Sequence, residues 1–350
     1  MIIPTEPIGS LPRPVSLIEA LKTTDVDDPR LEPLYREAVR DTVERLEATG
    51  SPVITDGGQR RYGNFGAYSV HGLPNLAADG FPRPVESQPR WPRLTAGPFR
   101  YQRYADAFLD VARCHARVPL KQAVVSPSAL SLLYPANGLP GYSREQFIDD
   151  VLREHETEVR RCLAKGAHKV QVDFTEAPLA MRIDPSGNLL RNFVDLNNRV
   201  LTRFTSEERQ RIGVHACPRV EGDSTPHGAV DYAEMLPALF ELKAGNFYIA
   251  LAGEKDPAHV LKVIAKYLKA DQRAFVGVVV PLDPRVETPA QVCDRILQAA
   301  EYIPVRQLGT TDDSGFSSDD ETLLSREKAF AKIRARVEGT ALAGKIIGSG

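Results

Sequence analysis

Sulfur is scarce in this sequence. Its 350 residues include four cysteines, Cys114, Cys162, Cys217 and Cys293, with no CxxC pair among them, which excludes a disulfide framework or a zinc ribbon. An excess of charge of either sign is missing as well. Lys plus Arg number 44 against 46 Asp plus Glu, a formal net charge of -2, so no overall pull toward nucleic acid or anionic membrane is expected. No apolar run approaches the roughly 18 residues of a bilayer-spanning helix. The start, MIIPTEPIGSLPRP, lacks a basic segment followed by a long apolar one. A cytoplasmic protein with a small-molecule partner is expected, and homo-oligomerisation is left open. P-loop, GxGxxG, GxSxG and HExxH spacings are absent, which counts against nucleotide hydrolysis, dinucleotide oxidoreduction, serine esterase and zincin chemistry.

What is present is ample core material, 42% hydrophobic residues, in an alternating pattern. Eight β-rich runs are expected as strands: IPTEPIGSL near the start, PVITDGG at 52–58, KQAVVSP at 121–127, HKVQVDF at 168–174, RIGVHAC at 211–217, NFYIALAG at 246–253, FVGVVVP at 275–281 and RQLGTTDD at 306–313. Helical periodicity fills the intervals 143–165, 229–243, 257–269, 289–301 and 325–337. Ser143 and the Thr288–Pro289 step are helix-start signals, and Gly166 is a stop. Apolar strands taking turns with helices imply an α/β fold with a covered parallel sheet. Eight such units are what a (β/α)8 TIM barrel needs, with an open doubly wound sheet as the alternative. The chain is therefore expected to form a single domain over 1–350. Its long insertion after the second strand, residues 59–118, is rich in Pro and Gly, holds the sole Trp91, and is expected to fold over the barrel mouth.

Barrel enzymes keep their reacting groups at the carboxyl ends of the strands. There the sequence places Ser10, Asp56, Gln59, Ser126, Asp173, Glu176, His215, Cys217, Glu254, Asp312, Asp313 and Ser314. His215 and Cys217 alternate on one strand, so both could grip a soft metal. Glu254 is the next candidate ligand and Asp313 follows it; a buried Cys beside a hydrogen-bonded His is the other reading. Asp173 and Glu176 could hold an amine or a protonated ring nitrogen, or form a structural salt bridge. The adjacent Asp312 and Asp313 could raise one carboxyl by like-charge repulsion and furnish a general acid. Ser126 and Ser128 suit a helix cap or an anion. Among the other histidines, His227 alone is kept in reserve.

In this order, the segments IGSLPRP, VITDGGQ, SPSALSLLYP, VQVDFTE, GVHACP and LGTTDDSGF resemble the cobalamin-independent methionine synthase family, over nearly the whole chain. The likeness is to the catalytic C-terminal barrel, here without the N-terminal one. It implies methyl transfer from 5-methyltetrahydrofolate, as co-substrate, to a thiol, homocysteine in the family, held on zinc by a His-x-Cys pair, a Glu and a distant Cys. On this resemblance His215 and Cys217 fall on the pair and Glu254 stands for the Glu. Ile8, Gly9 and Ser10 meet the substrate carboxylate, Asp173 its amino group, and Ser126 lies near the pterin. Asp56 and Gln59 join the substrate-binding set.

Three positions depart from the pattern. Ser314 stands where the family has the second Cys, and a hydroxyl is a poorer zinc ligand than thiolate. Gly58 stands where Asp-Gly-Glu is the family motif, and Glu254 lies beyond the expected ligand position near Ala250 or Ala252. The expectation is therefore a methyl or alkyl transferase acting on a small thiol, diverged from homocysteine methylation, with a depleted zinc site. The alternatives are a metal-free lyase or decarboxylase using Asp173, Glu176 and Asp313 as acid and base, and a non-catalytic ligand-binding protein.

Overall fold

The structure, a computed structural model, describes residues 1–61, 67–81, 91–216, 231–317 and 325–349. Six strands form one parallel sheet in sequential order: β3 (Lys121–Val125), β4 (Lys169–Asp173), β5 (Ile212–Ala216), β6 (Asn246–Ile249), β7 (Arg273–Val279) and β8 (Leu308–Asp312). The labels β1 (Leu76–Phe81) and β2 (Trp91–Leu94) belong to a separate antiparallel ribbon inside the 59–118 segment. That segment ends in a regular helix, Leu109–His115, leading into β3.

The first two expected strands pair more sparsely than anticipated, each making a single parallel bridge, Thr5 with Thr310 and Ile54 with Leu120. Proline accounts for the first. Pro4, Pro7, Pro12 and Pro14 carry no N–H, so ladder bonds survive only around Thr5, where Glu6 N donates to Thr310 O and Thr310 N to Pro4 O. The second is cut short by Gly57 and Gly58, whose φ angles of 70° and 65° turn the chain away. The two segments touch one another through Thr55 Oγ1, which donates to Gly9 O at 2.7 Å, and through Leu11 N, which donates to Gly57 O at 2.9 Å.

Helices cover the sheet as the periodicity predicts, including Arg144–Ala164, Tyr232–Leu239, Pro257–Tyr267 and Pro289–Ala300. Ser143 and Thr288 each close a capping box, with Gln146 and Gln291. The helix expected over 325–337 instead spans Arg326–Ser349. Gly339, a poor helix former, is retained because a Cβ there would lie 2.5 Å from Val292 and 2.7 Å from the Pro289 carbonyl. Close approach to the helix Pro289–Ala300 outweighs local propensity.

The segment ahead of β3 is clamped by acids of the helix Arg144–Ala164. Glu154 accepts from Tyr101 N at 3.0 Å and Tyr104 Oη at 2.8 Å, and Glu158 from Ala105 N at 2.9 Å. In β4, Val170 and Val172 pack into the main hydrophobic core, whereas Lys169, Gln171 and Asp173 take the other face. Ile8, Tyr248 and Phe275 form a small separate apolar cluster. No helix among the described residues is long and apolar enough to cross a membrane.

Candidate active site

The polar face of β4 organises the site. Lys169 Nζ donates to Glu6 Oε1 at 2.5 Å, and Tyr248 Oη to Glu6 Oε2 at 2.6 Å. Beside them Lys121 Nζ donates to Gln171 Oε1 at 2.6 Å, and Gln171 Nε2 to Asp173 Oδ1 at 2.7 Å. The same Asp173 oxygen faces His215 Nδ1 at 3.3 Å. All of these groups are buried. Burial lowers the Lys121 ammonium to about 7, partly offset by the Glu6 charge.

At the end of this chain of contacts His215 Nε2 is buried with no hydrogen-bond partner among the described residues. A ring held by a carboxylate on Nδ1 with Nε2 unengaged is the arrangement of a metal-ligating histidine. Among the described residues no group of three His, Cys, Asp or Glu side chains converges to hold a metal ion. Cys217 and His227 lie outside the described residues. Glu254 is half-buried, its carboxyl pushed up by burial and by the charges of Asp313 and Asp231.

Glu176, three residues past β4, is the other distinctive group. Its Oε1 accepts from Ser126 Oγ at 2.6 Å and from Ser128 Oγ, whereas Oε2 is buried without a partner. Burial pushes its carboxyl up to about 7 against the pull of the two serine hydroxyls. Ser126 is also the N-cap of the following short helix, accepting from Ala129 N, so cap and carboxylate anchor coincide. Asn197 completes the cluster with 3.1 Å contacts from Ser128 N and Oγ to its Oδ1.

Asp312 and Asp313 point apart. Asp312 is held by Arg336 of the last helix at 3.3 Å and by Ile8 N at 3.2 Å. Asp313 fills the space above Gly277 and accepts from Leu251 N, Ala252 N and Gly253 N at 2.7–2.9 Å. Its carboxyl rises to about 6 through burial, the three amides opposing; repulsion from Asp312 is not the cause.

The remaining candidates sit on the first two segments. Asp56 is buried, with Oδ1 accepting from Gly58 N at 2.9 Å and Oδ2 unpartnered. Gln59 is fully buried and braces the loop, its Nε2 donating to Leu11 O and Gly57 O. Ile8 packs with Tyr248 and Phe275. Ser10 is gripped by the loop after β8, since its carbonyl accepts from Phe316 N at 3.0 Å and a side chain on Gly315 would collide with its Oγ. Ser314 Oγ donates to Gly315 O at 3.2 Å.

Sequence similarity runs in the same direction. A methionine synthase of Sulfurisphaera tokodaii is 24% identical over 348 residues, covering 97% of this chain and 92% of the relative. The chain is similar to methionine synthases along nearly its whole length. A second methionine synthase, from Saccharolobus solfataricus, is 23% identical over 97% of this chain and 94% of its own length. Among solved structures, a B12-independent methionine synthase from Shewanella sp. W3-18-1, in complex with selenomethionine, superposes with a TM-score of 0.76 at 18% identity, covering all of both chains. No family model matches the chain. The methionine synthase resemblance read from the six motifs is thus borne out across the chain.

The sequence reading passed over Glu6, Lys121, Lys169, Gln171 and Tyr248. A signal for two of them was available: the strict alternation Lys169-Val-Gln171-Val-Asp173 places polar side chains on one face of a strand buried on both sides. Ser128 and Asn197, which complete the hold on Glu176, carried no comparable signal beyond the helix-start pattern.

Proposed function

We propose that this chain transfers a methyl group from a folate to a small thiol bound beside His215. The observation that carries this reading is His215 itself, with Nδ1 on a carboxylate and Nε2 unengaged. An imidazole and a thiolate make a donor set suited to zinc, so His215 and Cys217 would hold it, with Glu254 as a third ligand. Zinc, when bound, lowers a thiol's pKa and so keeps it as a thiolate at neutral pH.

The chain's own residues supply the rest. Asp173 orients His215 and offers a carboxylate to the amino group of an amino-acid thiol. Glu176, anchored by Ser126 and Ser128, holds a proton near neutrality and presents Oε2 as the donor to the departing pterin nitrogen. Asp56, with one oxygen unpartnered, and Ser10 border the substrate, and Gln59 holds their loops together. Asp313 positions the turn that carries Glu254. The bridges at Thr5 and Ile54, with the Thr55–Gly9 contact between the two segments, support closure of the six-stranded sheet into an eight-membered barrel. Arg61 Nη2 donating to Ala123 O and Leu94 N donating to Leu133 O support a 59–118 segment lying against the β3 side of its mouth, within a single domain.

Divergence from homocysteine is supported at two positions. Gly58 adopts a left-handed φ of 65°, where a glutamate would be strained by roughly 1–2 kcal/mol. Ser314 offers a hydroxyl in place of thiolate. The test is to incubate the protein with 5-methyltetrahydrofolate and a panel of thiols including homocysteine, with and without chelator, and to read methylated thiol by mass spectrometry. Chelator-sensitive methylation, faster with another thiol than with homocysteine, is expected; no methylated thiol from any of the panel refutes the proposal. A second reading, a metal-free lyase or decarboxylase, is favoured by the raised Glu176 carboxyl alone. It predicts a pH–rate profile with two carboxylate limbs and indifference to chelator.

A further inference from the structure

We infer that Gln171 is a positioning residue that sets the tautomer of His215, and that Lys121 sets Gln171 from deeper in the sheet. The inference deepens the proposed function, because the free His215 nitrogen matters only if that face meets ligand, but it rests on the directions of three contacts.

Lysine ammonium is a donor without an acceptor. The Asp173 carboxylate, an acceptor, is met at 2.7 Å by the Gln171 NH2, which turns the amide oxygen to Lys121 Nζ at 2.6 Å, a group that can donate as ammonium or as amine. The reverse orientation would set the amide oxygen against a carboxylate. Asp173 Oδ1, an acceptor only, then faces His215 Nδ1 at 3.3 Å, a contact favourable when Nδ1 carries the proton. Neutral His215 is therefore protonated on Nδ1, leaving the lone pair on the buried, unpartnered Nε2.

Lys121 is itself fixed. It lies 3.8 Å from the Tyr248 ring centroid and 4.0 Å from Glu6 Oε2, while Glu6 is tied to Lys169 and Tyr248. The sequence of groups Lys121, Gln171, Asp173 and His215 has one consistent hydrogen-bond polarity for neutral His215, ending in an acceptor nitrogen.

The test is long-range 15N–1H correlation NMR on histidine-labelled protein stripped of metal, at a pH where His215 is neutral, with its signals assigned by their absence in His215→Gln. The unmodified protein should show the proton on Nδ1. In Gln171→Met, and in the shorter Gln171→Asn, Asp173 is free to turn, and the ratio of the two tautomers should change about tenfold, the scale of one charge-assisted hydrogen bond. Lys121→Met should shift it in the same direction by less. A proton on Nε2 in the unmodified protein overturns the inference without any variant. So does an unchanged tautomer ratio in either Gln171 variant whose other histidine signals keep their native positions. Methyl transfer plays no part in this readout. A protein that methylates nothing yet shows the expected pattern refutes the proposed function and leaves the Gln171 role standing.

Discussion

Glu176 and Glu158 look alike one at a time. Both are buried, both accept hydrogen bonds on Oε1, both leave Oε2 unpartnered, and burial lifts them to about 7 and about 8 respectively. Their surroundings differ. Glu176 follows a sheet strand, with Asp173 three residues before it and hydroxyls from the end of β3 around it. Glu158 lies within the helix Arg144–Ala164, clamping the chain ahead of β3 through Ala105 N, with Tyr101 Oη and Arg61 Nε also unpartnered. A raised carboxyl and an orphaned oxygen therefore do not by themselves mark a reactive group. Placement at the carboxyl end of a parallel strand is the difference.

Isosteric neutralisation separates the two most sharply. Glu176→Gln removes a proton donor, and the methyl-transfer rate should fall by about 10²–10⁴. In the unmodified protein the acid form declines as pH rises through about 7, so the rate should decline over the same range. That limb should vanish in the variant. A limb that persists in Glu176→Gln would move the proton donor elsewhere. Next in size is Asp173→Asn, which weakens the acceptor for His215 Nδ1. Metal affinity measured against a chromophoric chelator should drop roughly 10–100-fold, the usual cost of losing a ligand's carboxylate partner, and unchanged affinity would remove His215 from the metal site.

Glu158→Gln should act oppositely, on stability. Burial pushes the folded carboxyl up to about 8, above the ordinary 4.5. The folded state then binds more protons than the unfolded one between those values, and stability falls as pH rises from about 4.5 to about 8. Glutamine abolishes that slope. The variant should be the more stable protein at pH 8, by several kcal/mol at about 1.4 kcal/mol per pKa unit, with the advantage shrinking to nothing near pH 4.5. An equal or lower melting temperature at pH 8 would mean that the carboxylate is stabilised by a partner stronger than Ala105 N.

These contrasts bear on what the sequence disclosed. The six strands of the sheet were legible because β-branched runs bounded by turn residues state their own limits, and Ser143 and Thr288 state where their helices begin. The first two segments were overread as strands, because the prolines of IPTEPIGSLPRP permit an extended path but not a ladder. At the site, His215, Asp173, Glu176 and Ser126 could be named because strand ends attract function in this architecture. The partners Gln171 and Lys121 were not named, and Ser128 was read only as a cap or an anion contact, since their roles depend on which side chain faces which across different strands. Asp312 and Asp313 show the same limit. Adjacent in sequence, they lie on opposite faces, and only the register tells that one meets Arg336 and the other the amides of Leu251, Ala252 and Gly253.

Asp313 gives the smallest effect and the finest test of the contrast. Unlike those of Glu176 and Glu158, both of its oxygens are engaged, so Asp313→Asn replaces an acceptor with a donor facing a backbone N–H and should cost about 1–2 kcal/mol. The pH dependence tells which kind of carboxyl it is. Its folded value of about 6 lies above 3.8, so the unmodified protein loses stability as pH rises through that window, whereas the asparagine variant does not. The deficit of the variant should therefore be largest near pH 4 and narrow toward pH 6, followed by denaturant titration at each pH. If Asp313 acts only through the turn before Glu254, the variant's loss of methyl transfer should appear with its loss of metal affinity and be relieved by excess zinc. A rate that stays low at saturating metal would instead put Asp313 in the chemistry, on the same side of the contrast as Glu176.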